Sequence, residues 1–232
     1  MFINGFDILW DEVDDYVADI QSIRSIDQFT FTKPVTFFCG ENGSGKSTLL
    51  EALAIKNGLN PEGGTRNYNF STYDSYSDLH NHMRLWRSRK PDWMYFLRAE
   101  SFYNVATKEM EYSGVFSERY HDQSHGQSFF SVLMKQTNKN GLYLLDEPEA
   151  ALSCQNQLAL LYLIQSCVKQ NCQFIIATHS PILLGFPGAQ ILSFDEGKIE
   201  EVDYKSTSSY QTMKLFLDRY DYFVEDIKEN EI

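Results

Sequence analysis

The sharpest chemical signal in the chain is Gly40-Glu41-Asn42-Gly43-Ser44-Gly45-Lys46-Ser47, followed by Thr48. Its glycines let the backbone turn tightly and approach a ligand with no Cβ in the way. Successive N–H groups in such a turn point inward, and a helix starting there adds the positive end of its dipole. The stretch is therefore an anion cradle, and its G-x-x-x-x-G-K-S spacing is that of a loop holding nucleotide phosphates. Lys46 then sets an ammonium on the β- and γ-phosphates, Ser47 offers a hydroxyl to Mg²⁺, and Thr48 reaches toward the α-phosphate.

A cradle binds phosphate but selects no water. Asp146 directly follows the apolar run Gly141–Leu145, the place for a second Mg²⁺-associated carboxylate, and Glu147 comes next. Neighbouring residues at a strand end point to different sides. Asp146 is expected to face the metal and Glu147 to polarise the attacking water. His179 closes another apolar run, where a neutral imidazole can hydrogen-bond the γ-phosphate and the water. Ser124-His125-Gly126-Gln127-Ser128 precedes the apolar positions Phe129, Phe130, Val132 and Leu133. Small residues again lead into a helix, giving a second potential anion-binding end.

The elements that must hold these groups are legible from local pattern. Val35–Cys39 reads as a buried strand, and Ser47–Ala54 as a helix with Leu49, Leu50 and Leu53 on one side. Further strands are expected at Phe29–Phe31, Trp93–Leu97, Gly141–Leu145 and Gln173–Ala177. Ile191–Phe194 and Ile199–Val202 read as a hairpin around Asp195-Glu196-Gly197-Lys198. Residues 57–77 form a long loop with a turn at Asn60–Gly64. Helices are expected at Leu79–Arg89, at about Gln155–Lys169, and from Ser209 onward. The Trp93 strand ends in Arg98-Ala99-Glu100, at the end of a sheet where α/β proteins bind ligands. Arg24, Phe29 and Phe31 are candidates to stack on a base.

Composition narrows the class. At 232 residues, 43% hydrophobic and 15% aromatic, the chain can bury a substantial core. No run of about 18 apolar residues suggests a membrane span. The acidic N-terminus lacks the basic region of a signal peptide. Cys39, Cys154, Cys167 and Cys172 read as reduced structural thiols. A net charge of −12 argues against a broad nucleic-acid-binding face. Arg84–Lys90, with Trp86 interleaved, is the densest basic stretch; it reads as a solvated helix face, with a docking surface for a partner or nucleic acid as the sharper reading.

Taken together, the chain resembles the ATP-binding cassette (ABC) ATPases. Gly40–Ser47, L-Y-L-L-D-E-P at Leu142–Pro148 and A-T-H-S at Ala177–Ser180 match that family in order and spacing. Ser124–Gln127 resembles its signature, with His125 where a glycine is usual. Arg98 and Glu100 stand near the family's glutamine loop, and the resemblance gives Glu100 a contact to metal or water. The wording is closer to the soluble bacterial ATPases of this type than to transporter subunits, and similar to the heads of repair and chromosome-maintenance ATPases. The interval of roughly eighty residues before the signature carries no sustained heptads and so no coiled-coil arm.

The resemblance implies an α/β, P-loop NTPase fold of ABC-ATPase type. A mostly parallel central sheet would be flanked by helices, with an N-terminal antiparallel β portion and a helical subdomain. Residues 1–232 would be one domain, with an inserted lobe at about 57–135. ATP and Mg²⁺ would bind between two copies packed head to tail, Ser124, Gly126 and Gln127 of one meeting the nucleotide on the other. Ala150–Ser153 would cross that interface. Hydrolysis would drive an unidentified protein partner in a cytoplasmic repair or defence-like role. Two alternatives are an ATPase subunit docking to a membrane transporter through Tyr68–Arg89, and a nucleotide-gated binding module with negligible turnover.

Overall fold

The run V-T-F-F-C is buried at every position because it becomes an inner strand of a parallel sheet. The computed structural model describes residues 1–10, 13, 15–65, 76–98, 137 and 140–229. In chain order its strands are β1 (Ile3–Ile8), β2 (Gln28–Thr30), β3 (Val35–Cys39), β4 (Met83–Arg87), β5 (Trp93–Arg98), β6 (Gly141–Asp146), β7 (Gln173–Ala177), β8 (Gln190–Ser193) and β9 (Glu200–Glu201). The main sheet has the order β5-β6-β7-β3-β8-β9. Its first five strands are parallel, and β9 pairs antiparallel with β8, Leu192 opposite Glu201.

Alternation along these strands divides the core in two. Phe38, Leu144 and Ile175 face helix α2 (Lys46–Lys56), whose Leu49, Leu50 and Leu53 cover them. Phe37, Tyr143, Leu145, Phe174 and Ile176 face the other way, toward Leu160 and Ile164 of the 15-residue helix Cys154–Val168. The short helices α1 (Gln21–Arg24) and α3 (Leu79–His82) flank α2, and among the described residues Cys154–Val168 is α4. The short α5 (Pro181–Leu184) packs against α4, and α6 (Ser208–Asp218) and α7 (Tyr220–Glu229) end the described chain with no buried residue in either. Among the described residues no helix is long and apolar enough to cross a membrane. All four cysteines are free; Cys39, Cys167 and Cys172 are buried and Cys154 is exposed.

The smaller sheet, β2-β1-β4, is antiparallel and covers the α2 side. It corrects one expectation. The stretch Leu79–Arg89 is helical only to His82; Met83–Arg87 is a strand paired to β1, Met83 opposite Ile8 and Leu85 opposite Phe6. Met83 and Leu85, two apart, turn to the core, so the local period is 2 and not 3.6. Pairing with β1 outweighs helix propensity there. Trp86 lies over Gly5, where an added Cβ would stand 2.7 Å from the indole, and its Nε1 donates to Asp7 at 3.0 Å. Arg84–Arg87 is therefore not a helix face, and its tryptophan serves packing. Of the lobe expected at 57–135, residues 66–75 and 99–135 lie outside the described residues; within 76–98, β4 joins the small sheet and β5 the main one.

Two glutamines stitch the sheets together. Gln173 is fully buried, accepts at Oε1 from Phe2 N–H (2.7 Å) and Ile3 N–H (3.0 Å), and donates from Nε2 to Ile3 O (2.8 Å). Gln190 accepts from Thr32 N–H at 3.0 Å and donates to Glu201 at 3.0 Å. Gln173→Leu keeps the volume but strands two buried donors and one acceptor. A loss of roughly 2–4 kcal/mol is expected, read as a lower denaturant midpoint at unchanged slope.

Candidate active site

The cradle forms where β3 ends and α2 begins. Gly40, Gly43 and Gly45 have φ of +137°, +78° and +95°. Gly45 is doubly constrained, since a Cβ there would stand 2.8 Å from Ile20 and 2.9 Å from Ile23. At Gly40 the close neighbour is Asp195, 2.9 Å from where a Cβ would be. Asp195 Oδ1 accepts from Glu41 N–H at 2.9 Å, and its Oδ2 accepts from the Ser193 hydroxyl at 2.9 Å. The β8–β9 turn is thus a brace for the cradle as well as a reversal. The Ser22 hydroxyl donates to the Ser44 carbonyl from the other side.

Lys46 is buried, and its ammonium donates to the carbonyls of Gly40 (2.9 Å) and Glu41 (2.6 Å). Burial lowers its pKa; the carboxylates of Glu147 and Asp195 pull it part of the way back. An ammonium that has lost water to the loop gains most from an incoming phosphate. Ser47, next on α2, donates its hydroxyl to Asp146 Oδ1 at 2.8 Å. A hydroxyl and a carboxylate are hard oxygen donors, too few to cage Ca²⁺ but suited to Mg²⁺, which keeps waters and takes phosphate oxygens. That donor pair fits the expected cation.

The backbone turns out after Asp146. Glu147 has φ +47°, a left-handed conformation costing on the order of 1–3 kcal/mol for a residue with a Cβ. The turn is held by Glu147 N–H donating to Ala177 O at 2.9 Å, and Pro148 starts the following 3₁₀ turn. It sends the Glu147 carboxylate away from Asp146 and toward the end of β7, where Oε1 is 3.6 Å from His179 Nε2. His179 is fixed through its main chain, whose N–H donates to Glu149 Oε1 at 2.6 Å. Its Nε2 is buried with no hydrogen-bond partner among the described residues. Behind it the Ser180 hydroxyl donates to Gln157 Oε1 at 2.6 Å and caps α5.

Lys46, Ser47, Asp146, Glu147 and His179 therefore meet at the C-terminal ends of the adjacent strands β3, β6 and β7, the ligand-binding edge of an α/β sheet. Glu41, Asn42 and Ser44 belong to the loop itself, and Thr48 lies on the first turn of α2. Glu100, Ser124, His125, Gly126 and Gln127 lie outside the described residues. Phe29 and Phe31 form a cluster with Phe6, at centroid distances of 5.2–6.1 Å. The Arg24 guanidinium sits 4.7 Å over the Trp10 ring. Phe31 is buried, Phe29 half-buried and Arg24 exposed. A cavity of about 610 Å³ adjoins the cradle between Gln21 and Ser22 on one side and Asp195 and Gly197 on the other. Sequence reasoning missed Asp195 and Glu149 as anchors: a turn aspartate and a surface-like glutamate carry no local sign of their distant backbone partners.

Residues 18–80 match the AAA domain family, and residues 125–184 match the AAA ATPase domain family. An uncharacterized ABC transporter ATP-binding protein of Haemophilus influenzae is 28% identical over 73% of this chain and 73% of its own length. Among solved structures, cbiO1 of Clostridium perfringens, part of the ABC transporter complex cbiONQ, aligns at 18% identity with a TM-score of 0.46 over 97% of this chain and 99% of that one. The SMC head domain of Thermotoga maritima aligns at 14% identity and a TM-score of 0.46, over 88% of this chain and all of that one.

Proposed function

We propose that the chain is an ATPase domain of the AAA/ABC type that hydrolyses ATP to ADP and phosphate within a head-to-tail homodimer. The observation that carries this reading is the convergence of Lys46, the Ser47–Asp146 pair and the Glu147–His179 pair at one sheet edge. Lys46 and the N–H groups of Gly40–Ser47 bind the phosphates. Ser47 and Asp146, with Glu100, hold Mg²⁺, which neutralises charge on the β- and γ-phosphates when bound. Glu147 orients the attacking water and receives its proton at the carboxylate. His179 Nε2 hydrogen-bonds the γ-phosphate. Ser124, Gly126 and Gln127 of a second copy complete the site.

Binding then makes the dimer and hydrolysis loosens it, so the cycle can pull on a protein partner in the cytoplasm. A transporter-subunit reading is favoured by one observation, the description of the Haemophilus influenzae relative as a transporter ATP-binding protein. Two measurements on purified protein test the main reading. Steady-state phosphate release is expected with Mg²⁺ and to vanish in EDTA, and ATP is expected to shift the sizing profile toward a dimer. Absence of turnover in both monomer and dimer would leave only a nucleotide-gated binding module. Co-purification with membranes from cells would move the load to a transporter.

A further inference from the structure

Four side chains close a ring beside the cradle. Ser47 donates to Asp146 Oδ1 at 2.8 Å; the other oxygen, Asp146 Oδ2, is 3.7 Å from Arg98 Nε; and Arg98 Nη1 is ion-paired to Glu51 Oε2. Glu51 is four residues after Ser47 on α2, so the ring closes through one turn of helix. Arg98 is directly opposite Asp146 in the β5–β6 register, and Glu51 and Asp146 keep only 10% and 7% of their side-chain surface. Arg98 reaches both acids because a planar guanidinium presents donors in different directions, which an ammonium does not.

We propose that Arg98 is a positioning residue for the divalent cation. It takes the rear oxygen of Asp146, so that Oδ1 stays turned to Ser47 and the cation meets a preset pair of oxygens. Glu51 is the counter-charge that lets a guanidinium stand this close to a cation site. Two carboxylates and one guanidinium leave the ring with one net negative charge beside the incoming cation. The inference rests on the reading of Ser47 and Asp146 as the cation's ligands. It reaches beyond that reading, because Arg98 and Glu51 act on the site only through Asp146.

The test separates cation binding from both folding and turnover. The dissociation constant of the non-hydrolysable analogue AMP-PNP is measured in EDTA and in Mn²⁺, and the ratio of the two is the cation's contribution. For Arg98→Gln the ratio should shrink roughly tenfold, the scale of losing a group that orients a metal ligand, while the EDTA constant is unchanged. Arg98→Lys should not rescue it. The double variant Arg98→Met, Glu51→Met replaces the buried pair by packed apolar groups and should recover melting temperature but not the ratio. A ratio that survives Arg98→Gln, or that returns with stability in the double variant, overturns the proposal and leaves Arg98 a purely structural tie. If the wild-type protein shows no Mn²⁺-dependent gain, the assignment of Ser47 and Asp146 has failed first, and this one with it.

Discussion

Glu147→Gln is expected to lower phosphate release by roughly 10²- to 10⁴-fold, the usual range for removing a general base, with ATP binding retained. The substitution is close to isosteric. It keeps the main-chain bond from residue 147 to Ala177 O at 2.9 Å and leaves Asp146 with Ser47 undisturbed. The Glu147 carboxylate is 43% exposed and 3.6 Å from His179, so its loss costs little folding stability. What goes is the carboxylate that the backbone turns away from the metal pair and toward His179. In the proposed cycle hydrolysis releases the sandwich, so the variant should also accumulate as an ATP-bound dimer. Sizing with ATP and Mg²⁺ beside a phosphate assay separates the two parts of this expectation. A slow variant that stays monomeric would refute the sandwich and keep the base. A variant with full turnover would require another proton acceptor.

The same residues show what could be read in advance and why. β3, β6 and β7 are inner strands of a parallel sheet, buried on both faces, so their sequences are continuous apolar runs visible without knowing any partner. The groups that follow each run are placed by that fact alone. β4 is different. It is half-exposed and basic, and only its pairing to β1 makes Met83–Arg87 a strand. Gln173 and Gln190 begin strands and look like surface residues, yet both are buried because main-chain groups far away in sequence need them. Asp195 reads as a hairpin turn, which it is, but its second role as the brace of Glu41 depends on β8 lying beside β3. Arg98 was visible only as a polar residue at a strand end; its partners Glu51 and Asp146 are 47 and 48 positions away, brought together by register. Local period reveals elements; long-range satisfaction of buried polar groups does not show in it.

Lys46→Ala should abolish turnover and weaken ATP binding by roughly 10²- to 10³-fold, from the loss of charge-assisted bonds worth about 1.5–3 kcal/mol each. The variant should remain folded. Lys46 donates to the Gly40 and Glu41 carbonyls, but those bonds accompany an ammonium whose burial lowers its pKa. In the free protein the charged lysine is therefore a net burden. A lowered folded pKa means that the unfolded chain binds the proton more tightly. This contribution to stability is unfavourable below the folded pKa and is relieved as pH rises through it toward the ordinary lysine value. Nucleotide affinity runs the opposite way, because phosphate needs the proton to be present. ATP binding by the wild-type protein should fall on the alkaline side sooner than an ordinary lysine would give. The Lys46→Ala variant should show weak binding with that alkaline fall missing. The measurement is the ATP dissociation constant across alkaline pH for both proteins. Identical pH dependence in the two would mean that the ammonium in the cradle is not what grips the phosphates.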